Sequence, residues 1–144
     1  MGIQDPNRVI LPTTTLRVAR PTDNIEAVTK FYRDGLGLEE LFRFADHDGF
    51  DGVILGLPGG SYHLEFTHAH GHRVGRAPSA DHLLVFYLPD EWQWRAAVAR
   101  LQESGHFPVR PFNPYWEEAG LTFEDPDGYR VVLQREHWDD HPQL

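Results

Sequence analysis

His63 and Glu65 stand two residues apart in Ser61-Tyr62-His63-Leu64-Glu65-Phe66-Thr67, so on an extended strand both side chains leave the same face. Glu65 is flanked by Leu64 and Phe66, the pattern of a central strand. A carboxylate on a partly dry face must be paired, bound to a metal, or raised in pKa, and the last state suits a general base. Glu65 is therefore the candidate catalytic group, and His63 the candidate to orient substrate or shuttle a proton. His82 opens the apolar run Leu83-Leu84-Val85-Phe86. Taken alone, such a histidine is a structural hydrogen-bonding residue. His68, His70 and His72 alternate, and three imidazoles on one side of an extended chain would suit zinc or nickel. The glycine beside them gives the run no fixed geometry. Tyr115 and Trp116 follow Asn113-Pro114 and would form an aromatic wall against a ligand. With no cysteine in the chain, thiol nucleophiles, thiolate metal sites and disulfides are excluded. There is no phosphate-cradling glycine loop, nucleophile elbow or HExxH pattern.

The elements that must position these residues come in two similar sets. Pro58-Gly59-Gly60 precedes the strand of Glu65, and Asp125-Pro126-Asp127-Gly128 precedes the strand of Val132. Glu65 and Val132 are 67 residues apart. The helix-start pairs Asp23/Glu26 and Asp90/Gln93 repeat at the same separation, and Gly37 and Gly105, each closing a helical pattern, are 68 apart. The chain reads as two copies of a unit of roughly 65 to 70 residues. Each unit is strand, helix, then three strands. In the first strand Thr13, Thr15 and Arg17 point one way, and Leu16 and Val18 the other. Strands are also expected near 38–44, 52–57, 62–67, 82–88, 108–112, 116–123 and 129–134. The expected fold is α+β: two βαβββ modules, 13–67 and 81–135, forming a paired, curved mixed sheet around a central cleft. A linker, 68–80, joins them, and a polar tail, 136–144, follows. A cleft between repeated units is a common place for a small ligand.

The 144 residues include nine Phe, five Tyr and four Trp, enough for a packed interior. The net charge of −9 argues against nucleic acid, which needs clustered Lys and Arg, and would suit a cationic ligand. No apolar run is long enough to span a membrane, and the N-terminus lacks a basic segment followed by an apolar one. The expectation is a cytoplasmic protein.

Phe31-Tyr32-Arg33-Asp34-Gly35-Leu36-Gly37-Leu38 and Phe123-Glu124-Asp125-Pro126-Asp127-Gly128-Tyr129, together with the repeat, resemble the vicinal oxygen chelate superfamily. That superfamily holds glyoxalase I, extradiol dioxygenases, fosfomycin-resistance enzymes and bleomycin-binding proteins. The resemblance covers about residues 13–135. It implies a homodimer and a divalent metal held by the first and last strands of each module. The matching last-strand positions here are Glu65 and Val132, and the matching first-strand position of the second module is His82. The first module offers Thr13, Thr15 or Arg17, none a common ligand of such a site. Glu65 and His82 thus make an incomplete metal set, and no cofactor is favoured. If Arg17 faces inward, its guanidinium repels a divalent cation and pairs with Glu65 instead. Substrate contacts are then expected from Arg17, His63, Tyr115 and Trp116. The implied function is a glyoxalase/bleomycin-resistance-like protein with a small-molecule cleft. The alternatives are a divalent-metal-dependent lyase, isomerase or dioxygenase acting on a small oxygenated substrate, and a metal-free antibiotic-sequestering protein.

Overall fold

The structure is a computed structural model and describes residues 5–140. Strand β1 (Leu16–Pro21) enters the first helix, α1 (Ile25–Thr29), whose last turn widens over Lys30–Gly35. There the Leu36 N–H bonds the Phe31 carbonyl five residues back, at 2.9 Å. Strands β2 (Glu39–His47), β3 (Phe50–Gly56) and β4 (Tyr62–Ala69) complete the first half. The second half holds β5 (Leu83–Tyr87), α2 (Glu91–Glu103), β6 (Gly120–Glu124) and β7 (Arg130–Gln134). The first sheet has order β1-β4-β3-β2 and the second β5-β7-β6. In each, the first and last strands pair in parallel, and the remaining pairs are antiparallel. The α+β fold of two related modules expected from the repeat is the fold observed.

Local chemistry explains the ends of the elements. Both helices stop at a glycine in the left-handed region, Gly37 and Gly105, each at φ +91°. Asp90 caps α2, its side chain accepting from the Gln93 N–H at 3.0 Å. The first helix is capped one residue later than expected: Asn24, not Asp23, accepts from the Ala27 N–H. Asp23 instead accepts from the Val74 and Gly75 N–H groups, both at 2.8 Å, and pins the connection between the halves. Those two bonds hold its carboxyl below the usual range.

The second sheet is one strand shorter than its counterpart. The strand expected near 108–112 survives as a single bridge, Val109 with Thr122. Pro108 and Pro111 lack the N–H groups a ladder needs. Pro114–Glu117 forms a short helical turn rather than the start of a strand, with Asn113 as its cap and Pro114 in its first turn. Residues 1–4 and 141–144, part of the expected arm and tail, lie outside the described residues. No helix of the described residues is long and apolar enough to cross a membrane.

One core joins the halves. Val28, Phe31 and Tyr32 from the first helix meet Val53, Leu55, Leu64 and Phe66 from the first sheet and Leu101, Phe123, Val131 and Leu133 from the second half. Arg100 of α2 donates to the Asp34 carbonyl at 2.9 Å, closing the end of the first helix. The strongest cross-link is polar. Buried Asp125 accepts from the Tyr32 hydroxyl at 2.6 Å and from the Asp127 and Tyr129 N–H groups at 2.8 and 3.0 Å. Arg20 lies 3.8 Å from the same carboxylate and 3.9 Å from the centre of the Tyr129 ring. Burial pushes the Asp125 carboxyl up, against the pull of those hydrogen bonds. Burial, and then the Asp125 charge, push the Tyr32 hydroxyl far above its ordinary value.

Candidate functional site

Each sheet gives one face to the shared core and turns the other away from it. In the first sheet, Val18, Leu64 and Phe66 pack into the core, so alternation puts Arg17, His63 and Glu65 on the opposite face. The parallel register sets Arg17 beside His63 and Ala19 beside Glu65. The Arg17 Nε donates to His63 Nε2 at 2.9 Å, and its Nη1 lies 3.7 Å from Glu65 Oε2. A guanidinium has no acceptor, so in this contact His63 Nε2 accepts, which puts the N–H of that tautomer on Nδ1. Arg17 and Glu65 are 46% and 17% exposed, so their mutual attraction contributes at most about 1 kcal/mol. Their chemical meaning is larger: a guanidinium, an imidazole and a carboxylate meet on one open sheet face.

The register of the second sheet decides the equivalent positions. Leu83 lies beside Arg130, and Val85 beside Val132. Leu83 is thus the counterpart of Arg17, Arg130 of His63, and Val132 of Glu65. His82 precedes Leu83 by one residue, and a shift of one residue turns a side chain to the other side of a strand. The His82 ring stands edge-on to Tyr129 at 5.9 Å, and its carbonyl accepts from the Arg130 N–H. The structure therefore groups Arg17, His63 and Glu65, and gives His82 a different orientation. Val132 is fully buried and has no donor atom for a metal. Among the described residues, no three His, Asp or Glu side chains are grouped so as to hold a metal ion. With a guanidinium against the one carboxylate, the residues present do not fit the divalent metal that the resemblance implies.

The core-averted side of the second sheet carries a pocket of about 440 Å³. Leu83 and Thr122 come from the sheet, Ala80 and Asp81 from the approach to β5, and Pro111, Phe112, Asn113, Pro114 and Trp116 from the segment that replaces the missing strand. Trp116 stands in it as the aromatic wall, and Tyr115 meets Trp116 edge-on at 4.9 Å. Asp81, Phe112 and Thr122 were not singled out by sequence reasoning. The two prolines around Phe112 were the available signal, since they break the ladder and free the segment to fold over the sheet.

The rings of His68 and His70 lie 6.5 Å apart, but among the described residues the alternating histidines form no group that could hold a metal ion. The His68 Nδ1 bonds the Thr22 carbonyl at 3.0 Å, and the His70 Nε2 bonds Asp51 at 2.9 Å. The hydrogen bond to Asp51 holds the His70 ring above its ordinary pKa. The His72 N–H closes a turn on Ala69.

Two family models match the chain: the YycE-like N-terminal domain over residues 16–67 and the YycE-like C-terminal domain over 81–135. The chain belongs to the YycE-like family. It is 44% identical over 118 residues to the uncharacterized protein YycE of Bacillus subtilis, covering 82% of this chain and 85% of the relative. The crystal structure of a YycE protein of unknown function from Bacillus subtilis superposes with a TM-score of 0.81 at 40% identity, over 89% of this chain and 93% of that one. More remote likenesses show the fold alone. Glyoxalase I of Leishmania major, a trypanothione-dependent enzyme, gives a TM-score of 0.65 at 20% identity, over 85% and 86% of the two chains. TnmS3, an antibiotic binding protein from Streptomyces sp. CB03234, gives 0.60 at 22% identity, over 88% and 98%. The fold that the resemblance in the sequence implied is thus the fold these structures share.

Proposed function

We propose that this YycE-like protein binds a small molecule between the core-averted faces of its sheets and engages a polar or anionic group of it at Arg17 and His63, with no metal chelation. The observation that carries the reading is the Arg17–Glu65 pair. It stands on the sheet face where the superfamily resemblance puts a metal ligand, and it brings a permanent positive charge there. Glu65 holds the guanidinium in place, and Arg17 in turn fixes His63 with Nδ1–H free to donate. Such a set can orient an acceptor group, and Glu65 can take a proton from a ligand that displaces the pair. The antibiotic binding of TnmS3 supports a binding role on this fold. Titration with phosphonoacetate in the presence of a chelator is the test, followed by NMR. The Arg17 Nε–H and His63 ring resonances should shift and saturate, and Arg17→Ala should abolish the response. A shift that needed added metal, or none at these groups, would contradict the reading.

The same faces support a homodimer. Phe42, beside Ile54 and in the row of Glu65, is 59% exposed. A symmetric partner would cover it and close the cleft. Light scattering at micromolar protein should give twice the chain mass; a monomer mass would count against the dimer.

A further inference from the structure

The pocket on the second sheet has a composition that selects one kind of ligand. Its volume, about 440 Å³, falls in the range of small-molecule sites. Phe112 and Trp116 supply aromatic surface, and Phe112 is 70% exposed although apolar. Pro111, Pro114, Leu83 and Ala80 add rigid apolar walls. Asp81 is the one charged residue of the lining, and among the described residues no cation forms an ion pair with it. The arginine in the strands of this sheet, Arg130, is already paired with Glu124 at 3.2 Å and donates to the Arg110 carbonyl at 2.9 Å. Thr122, 2% exposed, also lines the pocket, and its hydroxyl has no hydrogen-bond partner. A buried hydroxyl without a partner is unfavourable, and native proteins rarely leave one.

We infer that this pocket is a subsite for a planar organic cation, held between Phe112 and Trp116 with its charge toward Asp81 and a polar atom near Thr122. The inference rests on reading the core-averted faces as a small-molecule cleft, and it adds the chemical class of one end of the ligand. Aromatic faces attract a cation directly, and a carboxylate at the same site adds to that preference. An anion would meet the Asp81 charge with no positively charged residue in the lining to offset it. The excess of acidic residues, net −9, draws cations toward the protein as a whole.

Two fluorescent probes of similar shape separate the possibilities: the 9-aminoacridinium cation and anthracene-9-carboxylate. Binding would be followed by polarisation on the wild-type chain and on three variants. The cation should bind at least about tenfold more tightly than the anion. Asp81→Asn should remove most of that preference, Trp116→Ala should weaken the cation further, and Arg95→Ala, an exposed change on α2, should leave it unchanged. Circular dichroism would confirm that the variants fold. Equal affinity for both probes, or an Asp81→Asn variant that binds the cation as well as wild type, would overturn the charge class while leaving the cleft reading intact. Failure of the cation to bind would overturn the subsite, and failure of both probes would count against the cleft reading too.

Discussion

Replacing Asp125 by alanine should lower the stability of the protein by about 3–5 kcal/mol, the usual loss when one partner of a buried charge pair is removed. The carboxylate has no exposed surface, and Arg20 is only 14% exposed. Truncation strands the Tyr32 hydroxyl, the Asp127 and Tyr129 N–H groups and the Arg20 guanidinium together. One Arg20 Nη already has no hydrogen bond, so no spare partner takes over. Tyr32 belongs to the first helix and Asp125 to the turn before β7, so the loss falls on the joint between the halves. Denaturant unfolding should show a lower midpoint, and a loss under about 1 kcal/mol would contradict this account of the joint. The pH dependence follows from the raised carboxyl. A folded-state pKa above the unfolded value means that the native state binds the proton more readily. The Asp125 contribution is then greatest below its ordinary value of 3.8 and declines as pH rises through the raised folded value. Asp125→Asn should remove that slope.

Phe66→Ala should cost a similar amount, about 3–5 kcal/mol, through the cavity it leaves. Phe66 is 2% exposed and its ring stacks on Tyr32 at 4.9 Å. Its loss undermines the strand that carries His63 and Glu65, because Phe66 is the core-facing neighbour of Glu65. The site should therefore loosen along with the fold: the hydrogen bond that fixes the His63 tautomer should weaken before global unfolding. A drop of thermal midpoint with unchanged His63 ring resonances would show that the site does not depend on this packing.

Features that depend on local chemistry were legible in the sequence. Asp90, Gly37 and Gly105 end their helices as expected, and the turn at Pro58-Gly59-Gly60 closes its hairpin, with Gly59 at φ +76°. Alternation also placed Arg17 and Glu65 on one face, since both belong to regular strands. His82 was not legible, because the face it takes depends on where β5 meets β7, a difference of a single residue in register. The pocket was hidden for a related reason. Spacing suggested a strand at 108–112, and its prolines gave a folded-over segment instead. The Tyr32–Asp125 bond joins residues 93 apart in sequence, and Asp125 read locally as no more than a turn residue. Asp23 and Asn24 are equally good caps, so choosing between them needed the N–H groups of Val74 and Gly75.

The central claim is that Arg17 occupies with its charge the place where the wider superfamily resemblance puts a metal. Elemental analysis of untagged protein, purified without added metal or chelator, tests it most directly. The account predicts far less than one equivalent of zinc, nickel, manganese or iron per chain, unchanged in Glu65→Gln. One equivalent retained by the wild type and lost in Glu65→Gln would contradict it.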